Sequence, residues 1–149
     1  MRYVGIYKIQ NFLLFKSMAK TNTGGLIDSK PFVKVDYNMS SELLFAAMNV
    51  ALSNYKENVN NPTDWKHFAK EIEKDLKNIG VNSISSLNQQ GNKFCLVEED
   101  NKRLRIIPSN NDVKRKYFSH LPELAEYCDF NNNPDEMKES FNKALSKCT

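Results

Sequence analysis

Between Lys93 and Pro108 the apolar residues take a period of two, with a polar interruption in the middle. Phe94, Cys95, Leu96 and Val97 lead into Glu98-Glu99-Asp100-Asn101-Lys102, and Leu104, Ile106 and Pro108 follow with Arg103 and Arg105 interleaved. A period of two sends alternate side chains to opposite faces of a strand, so this stretch reads as a β-hairpin with a polar tip. Pairing Phe94 and Leu96 with Leu104 and Ile106 on one face leaves Arg103 and Arg105 on the other, which is then wet or turned towards a partner.

The remaining elements follow from shorter signals. Tyr3 to Ile9 and Phe12 to Phe15 are rich in aromatic and β-branched residues and too short for buried helices, so one or two strands are expected there. Thr21 to Gly25 is a turn cluster, after which Pro31 to Asp36 alternates again. Leu44, Ala47, Met48, Ala51, Leu52 and Tyr55 recur at three and four, giving a helix over about 41–57. Asn61-Pro62-Thr63-Asp64 offers a cap, a first-turn proline and an acid at the positive helix end, so a second helix is expected over 62–79. Trp65, Phe68, Ala69, Ile72, Leu76 and Ile79 form its apolar face, Glu73 and Lys77 an i,i+4 pair, and Gly80 its left-handed stop. Asn133-Pro134-Asp135-Glu136 repeats the start signal ahead of Met137, Phe141, Ala144, Leu145 and Cys148, a third helix over 134–148. The expected fold is α+β: a small, mainly antiparallel sheet packed with about three helices, as one domain over 1–149.

Composition narrows the function classes. With 149 residues, 40% hydrophobic and only 5 Gly and 5 Pro, the chain has enough apolar surface for one core and no low-complexity character. No apolar run approaches the roughly 18–20 residues that span a bilayer, and no signal-peptide pattern opens the sequence, so a cytoplasmic location is expected. Cys95, Cys128 and Cys148 lack metal or disulfide spacing and read as reduced core residues. The two histidines, His67 and His120, bring no HExxH or other ligand cluster, so no metal or cofactor is expected. Cysteine–histidine catalysis is the enzymatic arrangement the residue types allow, should Cys95, Cys128 and His120 meet in the fold, with Cys128 and His120 the pair considered, and no phosphate-binding glycine loop is present.

Two surface sets carry binding potential. Lys93, Arg103, Arg105, Lys114, Arg115 and Lys116, beside Tyr117 and Phe118, would suit a small nucleic-acid-binding module gripping phosphates and stacking bases; the bland alternative for 114–118 is a solvated loop leading into a buried Phe118. The net charge of +3 also conceals an acidic tail, six acids against three lysines over 121–149. Glu123, Glu126 and Asp129, interleaved with Tyr127 and Phe130, would complement a basic protein around aromatic anchors, and Glu98, Glu99 and Asp100 at the hairpin tip form a second candidate. Ordinary acidic helix starts and a solvated loop would explain the same acids.

From about Pro31 to Cys148 the order of elements resembles the immunity proteins of bacterial contact-dependent growth inhibition systems, the CdiI type. The resemblance rests on Ser41-Glu42-Leu43-Leu44-Phe45-Ala46-Ala47-Met48-Asn49-Val50-Ala51-Leu52-Ser53, on Pro62-Thr63-Asp64-Trp65 leading through Gly80-Val81-Asn82-Ser83 to Ile106-Ile107-Pro108, and on Pro134-Asp135-Glu136-Met137 running to Cys148. It implies a non-enzymatic cytoplasmic α/β protein that binds the C-terminal toxin domain of a cognate contact-delivered effector, often a nuclease, in a 1:1 complex. No membrane or nucleic-acid partner is then expected.

Overall fold

Gln10, with φ 51°, turns the chain tightly between two long strands, β1 (Arg2–Ile9) and β2 (Phe12–Thr21), which pair antiparallel. The computed structural model describes every residue from Met1 to Thr149. The next elements are β3 (Leu26–Asp36), α1 (Ser41–Ser53), β4 (Lys56–Val59) and α2 (Trp65–Asn78). A 3₁₀ turn at Ser85–Asn88 precedes β5 (Lys93–Asp100) and β6 (Arg103–Asp112). The chain ends in β7 (Tyr117–His120), a second 3₁₀ turn at Pro122–Leu124, β8 (Glu126–Asp129) and α3 (Pro134–Ser146). All eight strands join one open sheet in the order β3-β2-β1-β5-β6-β7, with β4 parallel to β2 and β8 antiparallel to β6. The architecture is α+β, a mostly antiparallel sheet with three helices, and no helix is long and apolar enough to cross a membrane.

One face of the sheet is covered by α1 and α3. Val4 and Ile6 from β1, Leu13 and Phe15 from β2, Cys95 and Val97 from β5 and Leu104 and Ile106 from β6 meet Leu44, Met48 and Leu52 of α1 and Met137, Phe141 and Leu145 of α3 in a cluster of 21 buried residues. Ser40 Oγ accepts the Leu43 amide and Asn133 Oδ1 the Glu136 amide, so both helices start on side-chain caps. The other face carries a smaller cluster of ten buried residues, including Tyr7, Leu14, Phe94, Leu96 and Ile107, with Ile72 and Leu76 of α2. Gly5 lies beneath it: a Cβ there would sit 3.0 Å from the Phe94 ring, so the sequence has glycine where ring and backbone touch.

Several expectations are corrected. The hairpin turns over Asn101 and Lys102 alone, both at positive φ, so Val97 pairs with Ile106 and Leu96 with Ile107. Phe94 and Leu96 therefore point to the α2 face, while Leu104 and Ile106 point to the α1/α3 face with Cys95 and Val97. Both faces are packed, as the continuous run Phe94 to Val97 requires of a central strand. The first helix stops at Ser53, and Tyr55 follows it to pack on Tyr3. The second helix starts on Asp64, whose Oδ1 accepts the His67 amide, because the Asn61 side chain is occupied by Thr23 at 2.9 Å. Trp65 is left 54% exposed, and Glu73 accepts the Ile84 amide at 3.0 Å instead of pairing with Lys77. The third helix stops at Ser146, short of Cys148. Gly80 does sit at the left-handed stop after α2, with φ +86°.

Candidate protein-binding face

The acidic segment 123–130 is mostly strand, and strand alternation divides it. Glu126, Cys128 and Phe130 turn towards α1 and α3: Glu126 forms an ion pair with Lys147, and Phe130 is buried with its ring 4.7 Å from Phe45. Tyr127 and Asp129 turn outward, and Tyr127 is 51% exposed. Glu123 is exposed on the 3₁₀ turn before β8. Of the two aromatics expected as anchors, only Tyr127 is presented to solvent.

Glu98, Glu99 and Asp100 are likewise the end of β5, not a loop tip. Glu99 is buried on the α1/α3 side, where it accepts Arg2 Nε–H at 2.9 Å and the Lys102 amide at 3.0 Å. The hydrogen bond from Arg2, aided by the Lys102 amide, holds its pKa below the ordinary value against the opposing effect of burial. Glu98 and Asp100 point to the other face.

Register brings the two acidic sets together there. Across β1, β5, β6 and β8 one row reads Tyr3, Glu98, Arg105, Tyr127, and the next row, across the hairpin and β8, reads Asp100, Arg103, Asp129. Facing residues on adjacent antiparallel strands stand about 4.5–5.5 Å apart, so these side chains form one continuous surface. Arg105 donates from Nη1 to Glu98 Oε2 at 3.1 Å, and its Nε is enclosed with no hydrogen-bond partner. Burial works against the Arg105 charge, but Glu98 outweighs it and raises the pKa. The Arg103 guanidinium lies 5.6 Å from the Tyr127 ring centroid, a cation–π contact that holds the exposed tyrosine in place. Asp100, Arg103 and Asp129 are exposed and form no ion pair within the chain.

Met1, Glu98, Asp100, Arg103, Leu104, Arg105 and Tyr127 line a depression of about 270 Å³ in this corner. At its edge the Tyr3 phenol is raised by burial and by the charges of Glu98 and Glu57. Tyr55, raised by burial and by Glu57, is pushed up to about 12. The corner thus combines tyrosine surface, two arginines and unpaired carboxylates, the residue types that supply anchors and electrostatic matching in protein interfaces. Arg103 and Arg105 belong to it, although the sequence pattern suggested a nucleic-acid role for them.

The basic set is dispersed. Lys93 points to the opposite face and donates to Leu145 O at 3.1 Å, and Lys114, Arg115 and Lys116 lie on the β6–β7 turn. His120 Nδ1 meets Ser109 Oγ at 3.1 Å, while Cys128 is buried under α3, so the two residues considered for catalysis are not joined.

No protein-family model matches the sequence, and no curated protein matches it. The fold does match solved structures. A protein of unknown function, NMB0488 from Neisseria meningitidis, superposes with a TM-score of 0.80 at 18% identity, covering 99% of this chain and 95% of that one. A chain of the CdiA-CT/CdiI toxin and immunity complex from Yersinia pseudotuberculosis superposes with a TM-score of 0.76 at 13% identity, covering 99% and 97%. The chain therefore shares its fold, over 99% of its length, with a chain of a toxin and immunity complex.

Proposed function

We propose that the chain is a cytoplasmic immunity protein that binds the C-terminal toxin domain of a cognate contact-delivered effector, one to one, and neutralises it without catalysis. The observation that carries this reading is the fold likeness to a chain of a toxin and immunity complex across 97% of that chain. The corner formed by Tyr3, Glu98, Asp100, Arg103, Arg105, Tyr127 and Asp129 is the proposed contact surface, with Glu123 at its periphery. Glu99, Glu126 and Phe130 support it from behind through Arg2, Lys147 and Phe45. Tyr127 is the expected anchor, and Asp100 and Asp129 the groups that steer a basic partner. A nuclease domain, which must itself grip phosphates, would offer such a basic surface.

The test is to purify the chain with the C-terminal domain of a large secreted effector encoded beside it, and to express the two together in cells. The expected results are a 1:1 complex by light scattering and survival of cells that make both. Absence of a complex would contradict this reading, and salt-sensitive binding of RNA or DNA by the chain alone would replace it with the nucleic-acid one.

A further inference from the structure

Two of the three cysteines share one spot in the core. Cys95 Sγ and Cys148 Sγ lie 3.7 Å apart, although 53 positions separate them in sequence. Cys95 is fully enclosed in β5, which is paired on both sides, and Cys148 follows α3 at the margin of the core, 7% exposed. Around them Cys148 Sγ lies 3.4 Å from Phe94 O, and Lys93 Nζ lies 3.1 Å from Leu145 O. Cys128 is buried in the same cluster, on β8.

Packing alone asks only for small apolar groups at these positions. Two sulfurs held side by side on separate elements are in addition set up for each other, since a disulfide of about 2.05 Å requires only a modest further approach. We propose that Cys95 and Cys148 are an oxidisable dithiol that closes to an intramolecular disulfide by exchange with a low-molecular-weight disulfide such as oxidised glutathione. Cys148, at the margin, is the attacking group. Its thiol is held below the ordinary value, first by the hydrogen bond with Cys95, while Cys95 is raised by the same contact and by burial.

In the first step Cys148 loses its proton to water and its thiolate attacks one sulfur of the small disulfide. The S–S bond breaks, and one small thiolate leaves with the electron pair. Cys95 then gives up its proton and attacks Cys148 Sγ, expelling the second small thiolate. Two protein thiols are oxidised and one small disulfide is reduced to two thiols. The product staples the end of α3 to the middle of the sheet, and it does not depend on the toxin-binding reading.

The experiment treats the native chain with oxidised glutathione and maps unreduced peptides by mass spectrometry. Expected are a mass loss of about 2 Da, a Cys95–Cys148 linked peptide and an unmodified Cys128. Closing so long a loop should also raise Tm by about 5–10 °C, reversibly with dithiothreitol. Cys148→Ser should abolish the link and leave Cys95 unreactive. A link to Cys128, a lasting glutathione adduct with no internal link, or oxidation that occurs only after urea unfolds the chain would overturn the proposal.

Discussion

The two faces of the sheet are built differently. Under α1 and α3, apolar side chains from five strands and two helices close into one cluster, with Phe15, Phe141, Leu44 and Ile106 at or near zero exposure. Under α2 only Ile72 and Leu76 are buried from the helix, and a charge is enclosed beside them: Lys16, 5% exposed, pairs with Asp28 and reaches Tyr7 Oη at 3.2 Å. Burial opposes that charge, yet Tyr7 and Asp28 outweigh it and raise the Lys16 pKa. Beyond α2 the same face runs out uncovered into the Tyr3–Tyr127 corner. The comparison assigns folding stability mainly to the α1/α3 face and leaves the other face freer to carry polar, exposed groups for recognition.

The sharpest way to break that contrast is by truncation. Phe141→Ala should cost about 3–5 kcal/mol in urea denaturation, and Leu76→Ala under α2 should fall near the lower end of about 2–5 kcal/mol. Equal losses would show that the faces share the stability evenly. Next in size is Asp28→Ala, which leaves Lys16 buried with its main partner removed; because Asp28 is partly solvated, about 2 kcal/mol is expected, read as a lowered urea midpoint. Glu99 gives a pH-dependent effect. Its folded pKa lies below the ordinary value of 4.5, so the stability it contributes is present above that value and is lost as the pH falls through the folded pKa. Arg2→Ala should lower the urea midpoint at pH 7 and flatten its decline below pH 4.5; an unchanged slope would remove the Arg2–Glu99 contact from the account. Smallest of all, Tyr127→Ala should move stability by no more than about 0.5 kcal/mol, as befits a surface side chain.

Much of this fold was legible because its signals are local. The Asn133 cap with Pro134, the Gly80 stop and the apolar spacing of α1 are decided within a turn or two of the chain. What was missed depends on partners distant in sequence. Nothing in Lys56–Val59 marks a strand until β2 supplies its hydrogen bonds, and β7 and β8 are four-residue strands that exist only beside β6. The hairpin faces are not legible in the sequence because one residue of register exchanges every side chain between faces, and the register depends on two positive-φ residues, Asn101 and Lys102, neither of them glycine. The candidate site follows the same pattern. Tyr127, Asp129, Glu98 and Asp100 were each visible as surface groups, but their meeting across β6, and the inward turn of Glu126 and Phe130, are consequences of pairing that composition does not encode.

Under the proposed function the uncovered corner recognises the toxin domain while the opposite face holds the fold. Isothermal titration of that domain into Asp100→Lys/Asp129→Lys, with thermal unfolding measured alongside, addresses it directly. The account predicts affinity weakened by about 100-fold or more at low salt, with Tm within about 2 °C of the unmodified chain. Unchanged affinity at low salt, with the substituted chain fully folded, would contradict it.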